Sequence, residues 1–438
     1  MEFLGKHSAG RAQCHRRSGT IPLDLVLDVE DDDGYFNVTL GNVLRDRAIR
    51  DTIRRVHLKS RDSKFLGSII SPLITKEPRS AGVESLILRD ESGGLAVDIS
   101  EFIAHHSFPK LQHLELFNCR VSSWDLIKLR APVLTILDLY LRDPWPSSNP
   151  TTSQVLSILA SYPTLQKVSL SWYEDPDDDD GDPSLRVSLP QLKELKLDGD
   201  AHDVFDLLDR LDHPGRMDRL DIAIKPCEIE DISQFIGPYL RAYLQHRGGS
   251  QSGLGLRLVF PYMNVIALDI GDAGGIDFHT PVPARVDPFI TIYMKLDVMY
   301  GGDLLKEANL DLIAHTPRGD IVYFQTYNEH ATMGEISAQL PNLWGLQFED
   351  SPLGLAFPKP NLDEDGEIYP SLEYVLLDGL STTDWSPLTT FLDRRASSGN
   401  RLHTLVATSC RIPPLVWSGL EDVVQELKEY KTSEFTIP

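Results

Sequence analysis

At 438 residues, 41% hydrophobic and 24% charged, the chain has the make-up of a soluble globular protein, long enough for two or three ordinary domains or one repeat array. Its 65 Asp and Glu against 42 Lys and Arg give a formal net charge of -23, which argues against a sequence-independent hold on nucleic-acid phosphates or anionic membrane surfaces. Four widely spaced cysteines (Cys14, Cys119, Cys227, Cys410) form no CxxC pair, and no apolar run reaches about 18 residues. A disulfide framework, a structural zinc motif and a transmembrane helix are therefore not expected; reduced thiols in a cytoplasmic or nuclear protein are.

Residues 1–18 are basic, polar and aperiodic, the pattern of a disordered segment without the apolar core of a signal peptide. Ile21 to Asp28 alternates apolar and acidic residues at period two and predicts a strand, ended by Asp31-Asp32-Asp33-Gly34. A short helix is predicted over 42–52, strands over 53–58 and 83–88, and a helix over 63–76 between them. Ser100 is placed to cap a helix running to His106.

From Phe108 the pattern becomes regular. Pro109-Lys110-Leu111-Gln112-His113-Leu114-Glu115-Leu116 has the frame Pro-x-Leu-x-x-Leu-x-Leu. Allowing Val or Phe at its apolar ends, the frame returns with prolines at 132, 163, 190, 341 and 370. Amphipathic helices are predicted between units, at 152–160 and 204–208. The stretch between Pro190 and Pro341 has room for about five more units of about 30 residues, with strand candidates at 217–224, 254–260, 289–296 and 321–327. Another proline-free strand is predicted at 402–406. A long helix is predicted over 229–246, and a helix over 415–430 that caps the last unit.

This periodicity predicts an α/β fold: an irregular leucine-rich-repeat-like solenoid over residues 19–430, with a parallel sheet on one face and helices on the other. Two stretches interrupt it, the acidic loop Asp175–Pro183 and an irregular region at about 226–330; residues 431–438 are a tail.

The chemical motifs tested fail on spacing. Asn361-Leu362-Asp363-Glu364-Asp365-Gly366 begins like a calcium loop, but its twelfth position is Leu372 rather than an acid. Gly248–Gly253 lacks the Lys-Ser/Thr of a phosphate loop, and Gly271-Asp272-Ala273-Gly274-Gly275 lacks dinucleotide spacing. His105-His106 are adjacent and point apart. No catalytic residue, metal ligand or cofactor is expected. Alternation instead sets Glu115, Phe117, Asp138, Tyr140, Lys196 and Asp198 opposite the core leucines, as exposed candidates for a protein-binding face.

The frame at Phe108–Cys119 and its relatives, together with Arg17-Ser18-Gly19-Thr20-Ile21-Pro22-Leu23-Asp24-Leu25, resembles the F-box and leucine-rich-repeat proteins numerous in mushroom-forming fungi. The resemblance covers most of residues 17–430. It implies the substrate receptor of a cullin-based ubiquitin ligase, a non-enzymatic protein that docks on a Skp-type adaptor through an N-terminal F-box. Residues 1–16 do not match an F-box, so adaptor binding is expected only if one is encoded upstream. The expectation is a monomeric recognition domain, its protein partner unknown. A structural scaffold or truncated gene product is the alternative, followed by a hydrolase site within 226–330.

Overall fold

The computed structural model describes residues 23–29, 52–64, 66–67, 70, 82–92, 94, 96–105, 108–124, 131–141, 150–172, 184–212, 217–247, 254–262, 265–273, 288–296, 311–316, 319–327, 339–349, 353–357 and 369–430. The basic N-terminus, most of the 42–52 helix, the Asp175–Pro183 loop, the calcium-loop-like 361–366 and the 431–438 tail lie outside these residues. The chain is mixed α/β and divides into two compact units between Asp218 and Arg219.

In the first unit, strands β1 (Leu23–Val29), β2 (Ile53–Ser60), β3 (Ser85–Asp90), β4 (His113–Phe117), β5 (Ile136–Tyr140), β6 (Lys167–Ser171) and β7 (Glu194–Gly199) pair in chain order, every pair parallel. One face of this sheet is a leucine core. Leu86, Leu114, Leu137, Val168 and Leu195 form one row and Leu88, Leu116, Leu139, Leu170 and Leu197 a second, each no more than 3% exposed. Helices α1 (Ser100–His105), α2 (Thr152–Ala160) and α3 (Ala201–Arg210) add apolar side chains buried as deeply, Leu156, Leu159, Val204 and Leu207 among them.

Each helix start has a local cause. Thr151 and Gln154 form a reciprocal capping box at α2, and the Asp200 carboxylate accepts from the Asp203 N–H at α3. At α1 the capping acceptor is not Ser100, as the sequence suggested. It is Asp98, whose Oδ1 accepts from the Ser100 N–H at 2.9 Å, while the Ser100 hydroxyl oxygen accepts from the Ser122 N–H at 2.6 Å.

Burial alone would raise the Asp98 pKa, but hydrogen bonds from Ser100 and Arg120 outweigh it and hold the carboxyl below 3.8. A depressed acid contributes stability that is present above its unfolded value and lost as pH falls through the folded one. Asp98→Ala is therefore expected to cost about 1 kcal/mol at neutral pH. Urea titrations repeated down the acid limb should show that deficit shrink below pH 3.8.

The proline frame has one structural meaning wherever it occurs. In all six copies the proline is the second residue of a β-turn, and the leucine two positions later donates its N–H back to the residue before the proline. These bonds run Leu111 to Phe108, Leu134 to Ala131, Leu165 to Tyr162, Leu192 to Leu189, Leu343 to Leu340 and Leu372 to Tyr369, at 3.0–3.3 Å. Proline suits that position because its fixed φ matches the turn. The turn then hands the chain to the sheet, as two successive N–H groups share one carbonyl of the preceding unit. Gln112 and His113 bond to Glu84, Ile136 and Thr135 to Gln112, Gln166 and Lys167 to Thr135, and Glu373 and Tyr374 to Trp344. The strands consequently begin about four residues after each proline rather than at it.

The second unit contains β8 (Arg219–Cys227), helix α4 (Gly237–Arg247), β9 (Leu254–Tyr262), β10 (Val265–Asp272), β11 (Pro288–Leu296) and β12 (Ile321–Tyr327). It continues with β13 (Gly345–Glu349), α5 (Leu353–Ala356), β14 (Tyr374–Asp378), α6 (Ser386–Ser397), β15 (Leu402–Thr408), α7 (Pro414–Val423) and β16 (Val424–Tyr430). Its spatial order is β8-β11-β10-β9-β12-β13-β14-β15-β16. All four strand candidates in the long gap are strands. The sequence did not foresee β10, which runs antiparallel to both β9 and β11 and makes the sheet mostly, not wholly, parallel.

Two helices also differ from expectation. The 229–246 helix contains a wider π turn at Ile232–Ile236, where the Gly237 N–H bonds five residues back to the Ile232 carbonyl. Pro238 has no N–H to continue the ordinary ladder, and a Cβ on Gly237 would lie 2.5 Å from the His315 ring. The predicted 415–430 helix stops at Val423, and β16 instead pairs along β15 from Leu402↔Val424 to Thr408↔Tyr430. The demand of the β15 backbone for a partner overrides the helical spacing of Leu420, Val424 and Leu427.

Candidate functional site

The face opposite the leucines carries three rows of side chains across β2–β7. The first is Arg55, Ser85, His113, Ile136, Lys167 and Glu194. The second is His57, Ile87, Glu115, Asp138, Ser169 and Lys196, and the third Lys59, Arg89, Phe117, Tyr140, Ser171 and Asp198. All six candidates from the sequence therefore lie on one face, in two adjacent rows.

They do not share one environment. Lys196 is exposed, while Phe117, Tyr140 and Asp198 are partly exposed. Glu115 and Asp138, expected to be exposed, are buried, at 5% and 7% exposure. Longer neighbours cover them. Arg89 lies across Glu115 as a hydrogen-bonded ion pair, and the His113 ring reaches diagonally to Asp138, with Nε2 to Oδ2 at 3.2 Å. Sequence alternation alone does not single out Arg89 or His113. The usable signal is that His113, Glu115 and Phe117 are alternate residues of one strand and so share a face.

Further pairs cross the same surface. Arg55 meets Asp24 at 3.6 Å, Lys59 meets Glu91 at 3.3 Å and Lys167 meets Glu194 at 3.2 Å. The Phe117 and Tyr140 rings lie 6.0 Å apart and tilted. Burial, only partly offset by a hydrogen bond with Ser169, raises the Tyr140 phenol, which stays protonated at neutral pH. Burial likewise holds the His57 imidazole, bonded to the Ser85 hydroxyl at 3.1 Å, below its usual value. Asp138 Oδ1 is buried without a hydrogen-bond partner.

The second unit has a comparable central row of Asp221, Thr291, Asp269, Arg257, Gln325 and Gln347. Asp269 is held by Thr291 Oγ1 at 2.8 Å and Arg257 at 3.3 Å, and Gln347 accepts from the Tyr323 hydroxyl. Beside it the Trp344 ring lies tilted against Tyr374, their centroids 4.4 Å apart, and donates to Glu373 at 2.8 Å. Burial and neighbouring acid charge raise the Tyr323 phenol, so it remains a donor.

Other reactive groups are quiet. Cys119, Cys227 and Cys410 are free, and burial pushes the latter two thiols up to about 12 and about 11 and Cys119 higher still. The described histidines of the 226–330 region, His246 and His315, are each anchored to a carbonyl of their own helical turn, at 2.7 and 2.8 Å. Among the described residues no helix is long and apolar enough to cross a membrane.

No protein-family model matches the sequence, and comparison with curated proteins finds no match.

Proposed function

We propose that the chain is a protein-binding, leucine-rich-repeat-like solenoid, and that the polar face of β2–β7 is its recognition surface. The reading goes with its likeness to the recognition part of F-box ubiquitin-ligase receptors. It rests on one observation above all: charged and aromatic side chains run in register across six consecutive strands, on the face not occupied by the leucine core. A parallel sheet is ordinarily covered on both faces by apolar contacts. Here Arg55, Lys167, Glu194 and Lys196 are exposed, and Phe117 and Tyr140 offer rings beside them. Alternating charge with aromatic anchors suits a folded protein partner better than a phosphate backbone or a small molecule. Docking on a Skp-type adaptor belongs to the same proposal, conditional on an F-box upstream.

Affinity purification with the wild-type chain, a face variant (Phe117→Ala, Tyr140→Ala, Lys196→Glu) and an off-face control (Asp393→Ala) tests this. A partner that is retained by wild type and control, lost with the face variant, and bound directly once purified supports the reading. Partners recovered equally by all three, or by none, overturn it.

A further inference from the structure

The second-row carboxylates raise a chemical question that ion pairing alone leaves open. Asp138 is 93% buried, uses Oδ2 toward His113, and leaves Oδ1 buried with no donor. A carboxylate oxygen buried without a donor is destabilising. A cation removes the cost, and the donors for one are already assembled.

We propose that His113, Glu115 and Asp138 form a binding site for a divalent transition-metal ion, with Zn²⁺ the best fit. One ligating atom from each of the three residues lies within 4.8 Å of the other two. Two atoms held by one ion at about 2.1 Å sit about 3.0–3.4 Å apart in octahedral or tetrahedral geometry. The His113 Nε2 to Asp138 Oδ2 distance is 3.2 Å, already the spacing of two ligands of one ion, and a carboxylate that shares the ion between both its oxygens also satisfies Oδ1. Glu115 is the outer ligand: Arg89 Nε binds its Oε1, and Oε2 is left to turn inward.

The topology explains why the ligands converge. His113 and Glu115 are two apart on β4 and share a face, while Asp138 faces Glu115 directly across β5. Three ligands on the flat face of a sheet leave the remaining coordination positions pointing away from it. With three protein ligands the shell is completed by water, unlike the four-ligand shell of a structural zinc. One imidazole with two carboxylates favours a borderline cation over Ca²⁺ or Mg²⁺, which prefer all-oxygen shells. Arg89 balances one of the two carboxylate charges and competes with the ion for Glu115. The inference stands apart from the protein-binding proposal and does not need it.

Isothermal titration of the chelator-treated full chain with Zn²⁺, and separately Mn²⁺, is the test, with Co²⁺ absorption reporting coordination geometry. One ion per chain is expected. Loss of a direct ligand should weaken Zn²⁺ binding by more than about a hundredfold, because second-shell changes alone cost 10–100-fold. The variants are His113→Gln and Asp138→Asn, near-isosteric so that the fold survives, with circular dichroism as the check. Arg89→Gln is expected to bind Zn²⁺ severalfold more tightly by freeing Glu115, a gain that misfolding cannot produce. Failure of the wild type to bind either ion, or equal binding by wild type and both ligand variants, would overturn the site.

Discussion

Replacing Arg395 by methionine is expected to lower stability by about 2–4 kcal/mol. Arg395 lies on α6, is 5% exposed, and donates from Nη1 to the Tyr369 carbonyl at 2.5 Å and from Nη2 to the Leu372 carbonyl at 2.9 Å. Those carbonyls bracket the proline turn that leads into β14. Tyr369 sits there at φ +57, in the left-handed region where a bulky residue is strained, and it precedes Pro370. The guanidinium therefore holds a strained turn in place as well as satisfying buried acceptors. Methionine keeps the length and apolar stem but supplies no donor. Arg395→Lys should recover only part of the loss, because one ammonium cannot present the planar fork that spans two carbonyls. Urea denaturation gives both values. A methionine variant within about 0.5 kcal/mol of wild type would mean that water replaces the guanidinium.

Phe357→Ala is expected to cost about 3–5 kcal/mol. Phe357 is 2% exposed and follows α5, with three other rings around it. Its centroid lies 4.8 Å from Phe391 on α6, 5.4 Å from Phe348 on β13 and 6.5 Å from Tyr369. Removing the ring opens a cavity whose walls belong to a strand, a helix and a turn, so local collapse cannot fill it. Phe357→Leu keeps most of the volume and should cost about 1–2 kcal/mol. Tyr369 and Phe391 also touch the Arg395 environment, with the guanidinium 5.7 Å from the Phe391 ring. The double variant Phe357→Ala, Arg395→Met should therefore fall short of the sum of the single losses, and additive losses would separate the two clusters.

How far the sequence disclosed this arrangement depends on which bonds hold each part. The six proline frames were legible because each is written in eight consecutive residues; that each opens with a β-turn closed by one bond was not. The strands after them were legible because each leucine pair repeats at period two. The reversal of β10 left no local trace: Val265–Asp272 alternates like its neighbours, and direction is set by partners distant in sequence. The same holds for β16, whose spacing reads as helix until β15 is there to pair with it. At the site, alternation identified the face but not the burial of Glu115 and Asp138. That burial comes from Arg89, 26 residues before Glu115, and from His113, 25 residues before Asp138.

The order β8-β11-β10-β9-β12 also bears on how this chain could lengthen or shorten. From β2 to β7, and again from β12 to β16, each strand lies beside its neighbour in sequence. Excising one complete unit there brings two like edges together, and the ladder can close. Between β8 and β12 that freedom is gone. β8 reaches its partner β11 only after β9 and β10 have been laid down, and β9 must wait for β12, with residues 263–320 intervening. Deleting β9 or β11 alone would set β10 against a strand of opposite direction that it does not now pair. Strands β9, β10 and β11 therefore form one interlocked block. Its long loop closures make it the slow step of assembly, against the rapid neighbour-to-neighbour growth of the flanking rungs.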